Sequence, residues 1–140
     1  MSAQTRRFAL KDLPDLVKLL NERYRESYEF IPYDEQALGS QIQERNLKIL
    51  LIEENGEVLG SLAYNDGRWG GEIMWLAVSE RPNQKLLENA LVKEIEKYIK
   101  GESVFTAVDA GSTEISEWIE RGYKSEGGLY HMVARLKGLE

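Results

Sequence analysis

The chain has 140 residues, 42% hydrophobic and 30% charged, with 12 glycines and 3 prolines; at roughly 100–200 residues per domain, that is the size of one ordinary globular domain. Its 18 basic and 24 acidic side chains leave a formal charge of -6, which counts against nucleic acid and anionic membrane surfaces as partners. No cysteine and a single histidine exclude disulfides, cysteine nucleophiles, thiolate metal sites and a histidine-rich metal centre.

The first seven residues, MSAQTRR, carry a basic pair with no apolar core behind it, so no secretory signal is expected. No apolar run approaches the ~20 residues that a bilayer requires, and a cytoplasmic protein is expected. Residues 5–9 read as a short first strand. Asp12 then precedes Leu13, Pro14 and Asp15, and an acid followed by a proline in the first turn reads as a capped helix start. Leu13, Leu16, Val17, Leu20 and Tyr24 continue it at helical spacing. Residues 24–33 are aromatic, aperiodic and closed by Pro32, which predicts a loop. Asp34 caps a second helix with Ala37, Leu38, Ile42 and Arg45 on one side.

Residues 47–53 form a dense apolar strand. Asn55-Gly56 follows, a strong hairpin signal because both residues accept positive φ, and residues 58–64 are the return strand. Residues 65–68 are predicted as a turn. Residues 73–78 are a nearly continuous apolar strand and so a central one. Leu87, Ala90, Leu91, Glu94, Ile95 and Tyr98 mark a long helix ending near Gly101. Residues 104–108 are a strand. Ser112, Thr113 and Glu114 open a short helix carrying Ile115, Trp118 and Ile119, with Gly122 as its C-terminal stop. Residues 123–125 and 129–136 close the chain as a hairpin. The order is β-α-α-β-β-β-α-β-α-β-β. Crossovers mixed with hairpins predict an α/β (α+β) fold in a single domain: a mixed sheet of about seven strands with helices on both faces.

That order, and the local wording, resemble the GNAT acetyltransferase family. TRRFALKDLPDL at residues 5–16 is similar to the usual family opening, and GEIMWLAV at 71–78 to its fourth strand. ALVKEIEKY at 90–98 lines up with the helix that follows, WIERGY at 118–123 with a "YEKxGF" segment, and HMVARL at 131–136 with the closing strand. The resemblance covers nearly the whole chain and implies acetyl-CoA as co-substrate and an amine, small-molecule or peptide, as acceptor. Dimers are common in the family, which implies a possible homodimer.

The resemblance also assigns sites. The backbone of Leu76, Ala77 and Val78 would pair with the pantetheine arm. The family's phosphate loop, Arg/Gln-x-x-Gly-x-Gly/Ala, works because bare backbone N–H groups at a helix start meet a diphosphate. Here it falls on Asn83, Gln84, Lys85, Leu86, Leu87 and Glu88. The glycines are missing, Gln84 and Leu86 add side chains, and Glu88 adds a negative charge that Lys85 partly offsets. The family's pantetheine-binding Asn corresponds to Gly111, and its thiolate-protonating Tyr to Trp118, whose indole N–H is too weak an acid. Glu72 stands where family enzymes carry a carboxylate base; a neutral amine must form before acyl transfer. It alternates in phase with Met74, Leu76 and Val78, with Trp75 on the opposite face.

Tyr24, Tyr28, Phe30 and Tyr33 either line the acceptor pocket or anchor their loop to the core. His131 stands between Tyr130 and Met132 on a predicted strand and reads as structural, with no nucleophile beside it. Trp69 and Trp75 flank the start of the fourth strand. Two functions follow. One is direct, acetyl-CoA-dependent acetylation of an amine, with Glu72 as base. The other is a GNAT-fold protein that has lost cofactor binding and acts as a binding or regulatory module.

Overall fold

In the computed structural model, which describes residues 3–25, 31–67, 70–108, 114–127 and 131–136, the elements follow the predicted order. They are β1 (Gln4–Arg7), α1 (Leu13–Tyr24), α2 (Glu35–Glu44), β2 (Lys48–Glu54), β3 (Glu57–Gly67), β4 (Gly70–Val78), α3 (Gln84–Ile95), β5 (Ser103–Val108), α4 (Glu114–Glu120), β6 (Lys124–Gly127) and β7 (His131–Leu136). The seven strands form one sheet in the order β1-β2-β3-β4-β5-β7-β6. Every neighbouring pair is antiparallel except β4–β5. Among the described residues no helix is long and apolar enough to cross a membrane. Tyr28, Phe30, Trp69, Gly111, Ser112 and Thr113 lie outside the described residues.

Each face of the sheet carries its own core. On one face Leu50, Leu62, Ile73 and Val78 pack against Leu87, Leu91 and Ile95 of α3 and Trp118 of α4. On the other, Leu51, Ala63, Trp75 and Ala77 pack against Leu16 and Leu20 of α1 and Leu38 of α2. Asn55 and Gly56 turn β2 into β3 with φ of 54° and 78°, the two positive values that their types permit. Gly122 ends α4 at φ 95°. Gly71 lies under the chain that leaves α3: a Cβ there would collide with the Ile99 side chain, so only glycine lets that connection cross the start of β4.

Several expectations are corrected. β1 ends at Arg7 because the chain turns into a 3-10 segment, Leu10–Asp12. Asp34 does cap α2, accepting from the Ala37 N–H at 2.7 Å, but Ala37 and Arg45 are exposed and Leu38 alone is fully buried there. Asn65, Asp66 and Gly67 are not a turn; they extend β3 and pair with Glu72, Gly71 and Gly70. On α3 Ala90 is exposed, and Val92 and Glu88 take places in the buried stripe.

Asp12 precedes α1, yet its side chain caps nothing there. It turns back instead, accepting from the Ala9 N–H at 2.8 Å and from both ends of the Arg6 guanidinium at 2.8 Å. Arg6 also holds Glu53 through Nε at 3.0 Å. These donors, Arg6 first, hold the buried Asp12 carboxyl down to about 2. A folded-state value below the unfolded one means stability that is present above about pH 4 and lost as pH falls toward 2. Asp12→Asn should remove roughly 2 kcal/mol at pH 7 and flatten that acid limb. Urea melts between pH 2 and 7 measure it; an unchanged acid limb would refute the assignment.

A bulge in β4 sets the geometry of everything that follows. Ala63 pairs with Trp75 but Tyr64 pairs with Ile73, so Met74 is an extra residue. One extra residue reverses the alternation beyond it. The expected phase of Glu72 is therefore corrected. Glu72, opposite Asn65, shares the α1–α2 face with Met74 and Trp75, whereas Leu76 and Val78 belong to the α3 face. Trp75 does not oppose Glu72. It is core, with its indole N–H donating to Ser61 Oγ at 2.8 Å.

Candidate active site

Among the described residues β4 and β5 are joined by three residue pairs: Gly71 with Val104, Glu72 with Phe105 and Ile73 with Thr106. The Thr106 hydroxyl donates to the Ile73 carbonyl at 2.9 Å and closes the last rung. From Met74 to Val78, β4 runs on without β5 beside it. The edge exposed by this parting carries backbone groups that another chain or ligand can pair with.

The parting opens a cleft of about 750 Å³. Ile73, Met74, Trp75 and Leu76 form its floor; Arg23 and Tyr24 come from the last turn of α1. Pro82 comes from the connection before α3, Gln84, Lys85 and Glu88 from the start of α3, Thr106 and Ala107 from β5, and Glu114, Glu117, Trp118 and Arg121 from α4 and its end. Met74 and Trp75 face α1 while Ile73 and Leu76 face α3, so the cleft is a slot through the sheet, reached from both faces.

The predicted site residues distribute unevenly around it. Leu76, Gln84, Lys85, Glu88 and Tyr24 line it. Ala77 and Leu87 are core. Val78 is buried and borders a second cavity of about 520 Å³, along with Leu19, Glu22, Arg23, Arg25, Ser79, Glu80 and Gln84. Asn83 is exposed at the start of α3 and makes no side-chain cap bond. Leu86 is 69% exposed and is not among the lining residues, so it does not fill the cleft. Glu72 is half-buried on the α1–α2 face, next to Ile73 but outside the lining. Tyr33 packs on the α1–α2 core, its backbone clamped by the Asn21 side chain at 2.7 and 3.0 Å. Tyr28 and Phe30 lie outside the described residues, as does Gly111.

Electrostatics in the cleft are dominated by pairs between α3 and the end of α4. Glu88, expected as an open negative charge, is buried against Arg121: Nη2 to Oε1 is 3.1 Å, with side chains 9% and 7% exposed. Gln84 also reaches Glu88, at 3.3 Å. Arg121 donates to Asn89 at 2.7 Å and lies over the Trp118 ring at 4.6 Å. Lys85, the expected compensating charge, is held by Glu120 at 2.8 Å on the surface. Trp118 is buried edge-on against Tyr123, with ring centres 4.8 Å apart. Burial pushes the Tyr24 hydroxyl up to about 12; at neutral pH it is a hydrogen-bond donor and a poor acid.

Arg23, Glu114, Glu117 and Arg121 were not anticipated from the sequence as site residues. Arg121 had a local signal, since it stands three residues after Trp118 on one helix face. Its partner Glu88 is 33 positions away, and nothing local announces that meeting.

A family model described as "Acetyltransferase (GNAT) family" matches residues 13–116. No curated protein matches the sequence. Solved structures with similar folds include three N-acetyltransferases. The PaiA N-acetyltransferase of Thermoplasma acidophilum, in complex with coenzyme A, has a TM-score of 0.74 and 19% identity, covering 97% of this chain and 99% of that one. The ribosomal-protein-alanine N-acetyltransferase of Brucella melitensis has a TM-score of 0.72 and 18% identity, covering 97% and 99%. The aminoglycoside 6'-N-acetyltransferase of Enterococcus faecium has a TM-score of 0.74 and 17% identity, covering 95% and 96%. At these identities the likeness is one of fold.

Proposed function

The chain belongs to the acetyltransferase (GNAT) family, and from that premise we propose that it transfers an acetyl group from acetyl-CoA to an amine. The observation that carries this reading is the parting of β4 from β5 beyond Ile73, which leaves a strand edge open along a cleft of about 750 Å³. Leu86 does not line that cleft, and Arg121 pairs with Glu88, so two of the obstacles that the sequence raised are eased. The missing glycines remain: Leu86 and Glu88 stand in their places, and Gln84 and Lys85 line the cleft before them.

Acetyl-CoA supplies an activated thioester. The open edge of β4 offers backbone N–H groups to its pantetheine amides and to the carbonyl that becomes an oxyanion. Glu72, on the α1–α2 face one residue before the floor of the cleft, takes the proton of the attacking amine through a water molecule. The amine nitrogen bonds to the carbonyl carbon as the carbon–sulfur bond breaks. Trp118 is no proton donor and Tyr24 holds its proton too tightly, so water protonates the thiolate. The acceptor, a small molecule or peptide amine, enters from the side of α1. The acidic, cysteine-free composition suits a cytoplasmic enzyme, and a homodimer belongs to the same proposal.

One observation favours the binding-module reading. The start of α3 is tied to α4 by Lys85–Glu120 and Glu88–Arg121, and these side chains stand where a diphosphate would meet bare backbone. Calorimetric titration with acetyl-CoA decides. Binding at micromolar strength is expected, and Leu86→Ala should leave that affinity unchanged, because the side chain points away from the cleft. A folded protein that binds nothing up to millimolar acetyl-CoA has kept the fold without the chemistry.

A further inference from the structure

Among the described residues three cations line the main cleft: Arg23, Lys85 and Arg121. Lys85 is bonded to Glu120, and Arg121 to Glu88 and Asn89. Arg23 differs. Its Nε is buried with no hydrogen-bond partner among the described residues. The carboxylate paired with it, Glu114, stands 3.7 Å from Nη2, too far for a hydrogen bond. Its guanidinium lies 5.6 Å from the centre of the Tyr24 ring, which steadies its plane. Arg23 is also, with Gln84, a residue that borders both cavities, at the wall between the slot through the sheet and the space beneath the β4–α3 connection.

The Arg23 side chain as a whole is 34% exposed, so the guanidinium is reachable from the cleft, while its buried Nε is an unmet donor that a bound oxyanion would satisfy. The planar fork suits two oxygens of one carboxylate or phosphate. We propose that Arg23 is an oxyanion-binding residue at the wall between the two cavities, gripping a phosphate or carboxylate of the ligand that fills the main cleft. The inference deepens the acetyl-transfer reading and rests on it for the ligand's identity. The phosphate source is the diphosphate of CoA, held by a side chain where the family's glycines would offer backbone. The carboxylate source is an acidic group on the acceptor amine. Glu114 and Glu117 face the same space, and Glu114 is half exposed.

The test uses the wild-type protein, Arg23→Gln and Arg23→Lys. Inorganic pyrophosphate and succinate are the probes, read as shifts in melting temperature. CoA and phosphate-free pantetheine are titrated beside them. Wild type is expected to be stabilised by at least one probe. Arg23→Gln should bind that probe roughly ten- to hundredfold more weakly, with partial recovery in Arg23→Lys. Loss of the pyrophosphate response together with weaker CoA and unchanged pantetheine binding names the diphosphate. Loss of the succinate response alone, with CoA unchanged, names the acceptor's carboxylate. Wild type responding to neither probe, or Arg23→Gln responding to both as wild type does, overturns the proposal. A probe response that vanishes in Arg23→Gln, in a protein that binds no CoA, keeps the oxyanion site and sinks acetyl transfer instead.

Discussion

Replacing Arg121 with Met is expected to cost about 3–5 kcal/mol of folding stability. The reason is what it leaves behind. Glu88 and Arg121 are both more than nine-tenths buried and meet at 3.1 Å. Without the guanidinium, the carboxylate is stranded away from water, with Gln84 at 3.3 Å as its remaining side-chain partner among the described residues. Lost stacking on Trp118 and the lost bond to Asn89 add to the deficit. The pair as a unit is worth far less than either half alone, because both charges were desolvated to form it. Arg121→Met combined with Glu88→Met should therefore regain most of the loss. Urea denaturation of the two single variants and the double gives the comparison. A loss below about 1 kcal/mol in Arg121→Met would mean that Glu88 finds water on its own.

Glu72→Gln is expected to lower kcat by about 10²–10⁴-fold with little change in acetyl-CoA affinity, the usual range for a positioned general base. Gln keeps the shape of the side chain, and the backbone of residue 72 is fixed between Asn65 and Phe105, so the fold should survive. Glu117→Gln is the comparison, since that carboxylate lines the cleft directly. Glu72→Gln at wild-type rate beside an inactive Glu117→Gln would move the base from the sheet to α4. The split between kcat and affinity matters, because a merely structural carboxylate would affect both.

Most of the architecture was legible because it is written locally. Asn55-Gly56 specifies its own turn, Gly122 its own helix end, and the apolar run of β4 its central place. The site was harder because it depends on what is not local. No residue type marks the bulge at Met74; it exists only as a mismatch with β3, and it decides which face Glu72 shares. Asp12 had the right type and position for a cap, but Arg6 on β1 offered its carboxylate two charged donors, stronger than a backbone N–H alone. Glu88 read as an exposed charge because its partner lies two elements further along the chain. The absence of glycines at residues 83–88 was plain in the sequence. Arg23 was not, since an arginine in the last turn of a helix is ordinary.

The short seam between β4 and β5 makes the sheet two panels, one of β1–β4 and one of β5–β7, stitched by three residue pairs and the Thr106 hydroxyl. A ligand that pairs with the open edge of β4 and also touches α4 lies across that seam as a splint. Holding the panels together and holding the ligand are then parts of one equilibrium. A substitution that loosens the C-terminal panel weakens binding without touching the cleft, and an occupied cleft makes the two panels melt as one.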